Sequence, residues 1–278
     1  MNYIFLISPN NSGTTIASQF ISSKIENCYL PKTRNNEGLK IKKIWETIKE
    51  TRWDPDVPIN YNLAKCTWEK LSIQNQCSSF FEASPPNMCH LKEIIQEFKK
   101  LIVIFWISNP YLYIGSCVNR YHKDNFSKSV SKVARNWIEK AKIQRQNHLL
   151  SPSAPKINYE EFCKAPDNCL EKKLGHIIDL KQEPGQISGK NTSKITTVAD
   201  MTAKQIAFLG TSGLHKVAEE LCQHAELLKY FGYKILSPVE INTILQLNVL
   251  LAVEGGIERL AWEKKSKNHG KRETNEKT

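Results

Sequence analysis

Short apolar runs alternate along the chain with segments in which apolar residues recur every three or four positions. Residues 4–7, 28–30, 79–82, 101–107 and 156–159 have the length and composition of strands. The fourth, Leu101-Ile102-Val103-Ile104-Phe105-Trp106-Ile107, is apolar throughout, which suits a strand covered on both faces. Between the strands, residues 90–100 carry Leu91, Ile94, Ile95 and Phe98 at helical spacing, and residues 111–121 and 130–147 also read as helices. The pattern predicts an α/β fold: three layers, α/β/α, around a central parallel sheet, with function at the carboxyl ends of the strands.

The second half of the chain is more helical. Residues 201–229 predict a helix with Leu214, Val217, Leu221, Leu227 and Leu228 in the core, closed by Phe231-Gly232-Tyr233. Past Pro238 a last helix, about 239–265, puts Ile241, Ile244, Leu245, Leu247, Leu250, Leu251, Ile257 and Leu260 on one face. That face is expected to pack on the body of the protein, or else on a second copy in a homodimer. Residues 180–199 are rich in Gly, Ser, Thr and Lys and read as a loop, while 39–77 and 180–200 carry no readable motif. The expected organisation is an α/β domain over 1–236, a helical appendage over 237–265 and a basic disordered tail over 266–278.

The first strand has a chemical consequence. It feeds Ser8-Pro9-Asn10-Asn11-Ser12-Gly13-Thr14-Thr15 and then the helix-like Ile16-Ala17-Ser18-Gln19-Phe20-Ile21. A strand, a tight polar turn and a helix start place free backbone N–H groups and a helix's positive end together, an arrangement that suits phosphate or sulfate. Gly13 lets the backbone approach the anion, and Ser12, Thr14 and Thr15 add hydroxyl donors. A nucleoside-triphosphate P-loop is disfavoured, because Thr14 stands where its Lys belongs and Ser8 replaces its first Gly.

Composition adjusts this picture modestly. With 40% apolar and 24% charged residues, wholesale disorder is excluded. A net charge of +11 favours anionic partners, although part of it sits in the C-terminal tail. The eight cysteines form no C-x-x-C pair and no zinc-like cluster, so no metal is expected. Cys117 and Cys222 lie in apolar runs and are expected to be buried thiols of a reducing compartment. No basic leader precedes the first strand and no run of 18 apolar residues occurs, so a cytoplasmic protein without stable membrane insertion is expected. The dispersed positive charge carries no aromatic stacking motif, and nucleic acid is not an expected partner.

Four further blocks come after the anion loop: Leu30-Pro31 with Asn36-Glu37-Gly38; Glu82-Ala83-Ser84-Pro85-Pro86-Asn87; Ile107-Ser108-Asn109-Pro110-Tyr111 with Ser116; and Asn158-Tyr159-Glu160-Glu161-Phe162 with Pro166. In order and spacing, from about residue 3 to 233, these resemble the sulfotransferases of P-loop-like fold, which use 3′-phosphoadenosine 5′-phosphosulfate (PAPS). The chain is most similar to a microbial branch with Asn-Ser-Gly-Thr-Thr in the first loop. The resemblance implies PAPS as cosubstrate and a hydroxyl or amine of a carbohydrate or small metabolite as acceptor. It implies that Asn10, Asn11, Ser12, Gly13, Thr14 and Thr15 cradle the 5′-phosphosulfate. It also implies that Ser116 binds the 3′-phosphate, with Ser108 in the place of a family Arg, and that the segment 185–194 covers the nucleotide. Glu37, in the loop after the first helix, is the candidate general base; Glu82 is second and His90 third. For Glu37 the other reading is a solvated loop carboxylate, and for Glu82 a brace for its own loop.

Three basic residues of the family are missing. Asn11 stands where many members carry Arg or Lys, Ala83 replaces a Lys and Ser108 replaces an Arg. A hydrogen bond to a charged group is worth about 1.5–3 kcal/mol, so three losses without compensation would remove useful turnover. Lys32, Lys40, Arg52, Lys65, Arg120 and Lys190 are candidates to compensate; Arg120 lies at i+4 from Ser116 on the same predicted helix. The alternative is a degenerate relative that binds a nucleotide or anionic glycan without transfer. A small-molecule kinase on the same fold is the third reading, and it lacks the P-loop Lys.

Overall fold

The computed structural model describes residues 1–121, 125–183, 198–247, 250 and 253–260. Along the chain, β1 (Asn2–Ile7) leads to α1 (Thr14–Ser23) and β2 (Cys28–Tyr29). Two short 3-10 turns, Arg34–Asn36 and Gly38–Lys40, precede α2 (Lys42–Ile48) and α3 (Tyr61–Gln74). Then come β3 (Ser79–Glu82), the 3-10 turn Pro85–Cys89, α4 (Leu91–Glu97), β4 (Leu101–Ile107), α5 (Pro110–Tyr121) and α6 (Phe126–Leu150). The rest is β5 (Lys156–Asn158), α7 (Tyr159–Lys164), α8 (Pro166–Leu174), α9 (Thr202–Leu221), α10 (Ala225–Tyr230) and α11 (Pro238–Leu247).

The five strands form one sheet in the order β2-β3-β1-β4-β5, with every neighbouring pair parallel. The α/β fold with a central parallel sheet is as the hydrophobic pattern predicts. β1 is central, and the chain leaves it toward one edge of the sheet but leaves β4 toward the other. The carboxyl ends of β1 and β4 therefore flank a topological switch point, where such sheets hold ligands.

By internal contacts the chain divides into two units: residues 1–107 with 143–199, and residues 108–142 with 200–278. In the first, alternate strand residues enter two apolar layers. Tyr3, Phe5, Ile7, Phe80, Val103 and Phe105 share a core with Ile44 and Ile48 of α2, Trp68 of α3, and Leu91 and Ile94 of α4. Trp68 stacks on Phe80 with ring centroids 4.8 Å apart. Ile4, Leu6, Ile104 and Trp106 are buried on the opposite side, where Trp106 meets Phe162 of α7 and Phe162 meets Phe20 of α1. Helices cover both faces, which is why β4 tolerates no polar position.

In the second unit α5 packs on α9. They approach so closely that a Cβ on Gly115 would lie 2.8 Å from Gln205 Cβ. Arg259 Nη1 donates to the carbonyls of Phe208 and Leu209 at 3.2 Å, beside a break in α9 at Gly210. Leu214, Val217, Leu221, Leu227 and Leu228 are buried as expected. The single helix predicted over 201–229 is instead α9, a 3-10 turn at Cys222–His224, and α10. Gly232, at φ +75°, ends α10: its N–H donates to Lys229 O and that of Tyr233 to Leu228 O, satisfying the last carbonyls.

Two expectations are corrected. Cys222 is exposed, because it begins the turn that ends α9 rather than lying on the helix's buried stripe; Cys117, on α5, is buried. The apolar face predicted past Pro238 is not uniformly core: Ile241 is buried, but Leu247 and Leu250 are 80% and 81% exposed, and Ile257 and Leu260 are also exposed. α11 and residues 253–260 are helical, whereas Leu251 and the tail 266–278 lie outside the described residues. Among the described residues no helix is long and apolar enough to cross a membrane.

Candidate functional site

The turn after β1 is built from its own backbone and anchored by distant side chains. Asn11 and Gly13 both take positive φ, +58° and +80°, curling the chain toward α1. Ser12 is fully buried, and its hydroxyl donates to the Pro9 carbonyl. Trp106 Nε1, from the neighbouring β4, donates to Ser12 O at 2.6 Å. Gln144 Nε2, from α6, donates to Ile7 O at 2.5 Å and Trp106 O at 3.0 Å, tying the ends of the two switch-point strands together.

Gly13 is the N-cap of α1, and the first intrahelical bond runs from Ala17 N to its carbonyl at 3.1 Å. The N–H groups of Thr14, Thr15 and Ile16 therefore stand outside the helix's own ladder, and a glycine cap has no side chain to offer them. Three backbone N–H groups thus meet at this turn, but the Ser12 hydroxyl, expected as a further donor to the anion, is spent on the Pro9 carbonyl. The Tyr159 ring lies where a Gly13 side chain would be, and its hydroxyl donates to Ala199 O at 2.7 Å.

Asn36 and Glu37 are brought to the same end of the sheet. Asn36 Nδ2 reaches Thr15 O at 3.4 Å and Ser18 Oγ at 3.3 Å, docking their loop on the first turn of α1. Glu37 is buried, its Oε1 accepting from Lys40 Nζ at 2.8 Å and Asn35 Nδ2 at 3.1 Å. Its Oε2 takes no hydrogen bond among the described residues. The solvated-loop reading of Glu37 therefore does not describe this side chain.

Glu82 is fully buried at the end of β3. Oε1 accepts from Ser84 N and Asn87 Nδ2, and Oε2 from Gly38 N, each at 2.8 Å. Burial pushes its carboxyl up to about 7, with Ser84 and Asn87 pulling the other way and the neighbouring Glu37 charge raising it slightly. His90 is also fully buried and caps α4, with Nε2 3.3 Å from Arg52 O.

Ser108, Ser116 and Arg120 belong to the second unit. Asn109 caps α5, its Oδ1 accepting from Tyr111 N at 2.9 Å, with Pro110 as the first helical residue. Ser108 is fully buried; its carbonyl accepts from Trp137 Nε1 at 3.2 Å, and its hydroxyl has no partner among the described residues. Ser116 is half-buried on α5, and Arg120 is exposed one turn on, its guanidinium 5.8 Å from the Tyr121 ring centroid.

Several candidate compensating cations are already engaged. Lys40 pairs with Glu37, Lys65 pairs with Glu97 at 3.1 Å, and Arg52 lies 4.7 Å over the Trp45 ring. Lys32 is exposed. Lys190 and the predicted cover 185–194 lie outside the described residues. Among the described residues no three or more His, Cys, Asp and Glu side chains gather as a metal site.

No family model and no curated protein matches the chain. A similar solved structure is described as a sulfotransferase domain from the curacin biosynthetic pathway. The match covers 88% of this chain and 96% of that one, at 16% identity and a TM-score of 0.45. A likeness that shallow decides nothing about the chemistry of this chain.

The residues that sequence reasoning passed over are the anchors: Trp106, Gln144 and Tyr159. Each acts from a distant part of the chain on the turn after β1, and nothing local in the sequence marks such a role. Tyr159 lay within a matched block, but no reading of that block pointed to Gly13.

Proposed function

We propose that the chain is a PAPS-dependent sulfotransferase acting on a hydroxyl or amine of a carbohydrate or small metabolite. One observation carries this: a turn with an open helix N-terminus and flanking hydroxyls, placed after the central strand at the switch point. A phosphosulfate group fits such a cradle, since backbone N–H groups bind it without a side-chain charge. Asn10 to Thr15 would hold the 5′-phosphosulfate.

In the reaction the acceptor oxygen or nitrogen forms a bond to sulfur, the bond from sulfur to the phosphate oxygen breaks, and the acceptor proton must leave. Glu37 is the group to take that proton, with Lys40 and Asn35 orienting it through Oε1 while Oε2 stays open. Positioning and charge stabilisation supply the rest, as in phosphoryl transfer. Calorimetric titration with adenosine 3′,5′-bisphosphate, ATP and adenosine 5′-phosphosulfate tests the reading. Selective binding of the bisphosphate is expected; no binding, or equal binding of ATP, overturns it.

A second reading, nucleotide or glycan binding without transfer, is favoured by the engaged cations. Lys40 is spent on Glu37 and Lys65 on Glu97, so these two candidates do not stand in for the basic residues missing at Asn11 and Ala83. Bisphosphate binding without sulfate transfer to any of a panel of sugars, alcohols and amines would select it.

A further inference from the structure

Glu82 is a fully buried ionisable group that the transfer reading leaves without a task. Its three hydrogen bonds join two loops: Ser84 N and Asn87 Nδ2 belong to its own loop, and Gly38 N to the turn beginning at Glu37. The loop after β3 takes a second hold on that turn, Ser84 Oγ accepting from Leu39 N at 3.0 Å. Asn87 is fixed in turn by the Tyr61 hydroxyl, which donates to its Oδ1 at 2.8 Å. A Cβ on Gly38 would overlap Glu82 Oε2, so only glycine admits the carboxylate this close. Two successive amides, those of Gly38 and Leu39, are thus gripped by buried side chains immediately after Glu37.

We propose that Glu82 is a positioning residue that clamps the Gly38 amide and so sets where Glu37 presents its carboxylate to the acceptor, an inference that rests on the transfer reading. Every group facing Glu82 is a hydrogen-bond donor, so an amide in its place cannot satisfy all of them. Three donors face Glu82, two on Oε1 and one on Oε2. In Glu82→Gln the amide oxygen keeps the two donors of the Ser84–Asn87 loop, and its NH2 then confronts the Gly38 N–H. The substitution preserves volume and breaks one link, the one to the turn carrying Glu37.

The test has two arms, both on the full chain. In the first, hydrogen exchange at Gly38 is compared between wild type and Glu82→Gln, with thermal unfolding as the control for global loss. Exchange at least tenfold faster at Gly38 is expected; unchanged protection overturns the clamp whatever the activity. Should Glu82→Gln fail to fold, Ser84→Ala and exchange at Leu39 make the same comparison. In the second arm, Glu82→Gln is expected to lower kcat at least tenfold with KM for PAPS unchanged, and to add no further loss in a Glu37→Gln background. Effects that multiply would show Glu82 acting apart from Glu37 and overturn the proposal. If the wild-type protein transfers sulfate to nothing, the transfer reading fails by itself, and the exchange result alone decides the clamp.

Discussion

At position 13 two separate constraints fall on one side chain. The backbone holds φ +80°, a region that costs an L-residue about 1–2 kcal/mol, and the Tyr159 ring occupies the space a Cβ would need. Gly13→Ala is therefore expected to destabilise the protein by at least about 2 kcal/mol in urea unfolding, strain and overpacking together, and to weaken bisphosphate binding. Trp106→Phe probes the same turn from the other side. It keeps most of the ring volume but leaves the Ser12 carbonyl without its 2.6 Å donor. A loss of about 1–3 kcal/mol, with a matching drop in nucleotide affinity, is the expected outcome. The glycine was legible in the sequence because turn chemistry is local. The tryptophan was not, because its partner lies on another strand, brought near only by the β1–β4 register that sets Leu6 beside Ile104.

At the scale of elements, the strands were the most legible part. Short runs of β-branched and aromatic residues bounded by polar turns permit few other conformations, and β3 and β4 coincide with the predicted spans. α3 escaped notice because its buried positions do not all read as apolar: its inner side includes Ala64 and Ser72 beside Trp68. α2 is too short to show a period, with only Ile44 and Ile48 buried. The last helix misled in the opposite direction. Its apolar residues repeat at helical spacing, yet only part of that face is covered among the described residues, since periodicity reports amphipathicity and not what covers it. Ile241→Ala is expected to cost about 2–4 kcal/mol, whereas Leu247→Ala should cost no more than about 0.5 kcal/mol. Urea unfolding of both variants at two protein concentrations checks this. A Leu247→Ala cost that grows with concentration would mean a second copy covers the face, as the homodimer reading proposes.

For the molecule as a whole, the buried carboxylate of Glu82 writes a pH dependence into stability. Its carboxyl sits at about 7 against an ordinary 4.5, because burial makes ionisation costlier in the fold than in the unfolded chain. The stabilisation it brings is complete below the unfolded pKa and is lost as pH rises through about 7. Unfolding free energy measured from pH 4.5 to 8 should fall along that window, and Glu82→Gln should remove the Glu82 share of the slope. Equal slopes in the two proteins would mean that Glu82 is ionised at its ordinary pH in the fold. No sequence pattern announces this, because a Glu at a strand end is as often solvated as sealed; only the closure of two loops over β3 makes the difference.

The ring of Tyr159 also has an evolutionary consequence. Because it occupies the space beside Gly13 and its hydroxyl holds Ala199, a change at any of three positions far apart in the chain bears on the other two. A descendant that loses the ring relieves the crowding at position 13 but not the backbone angle. Glycine should therefore outlast the tyrosine as the lineage drifts. Relatives in which position 159 has become aliphatic should keep the turn after β1 while the chain around position 199 diverges.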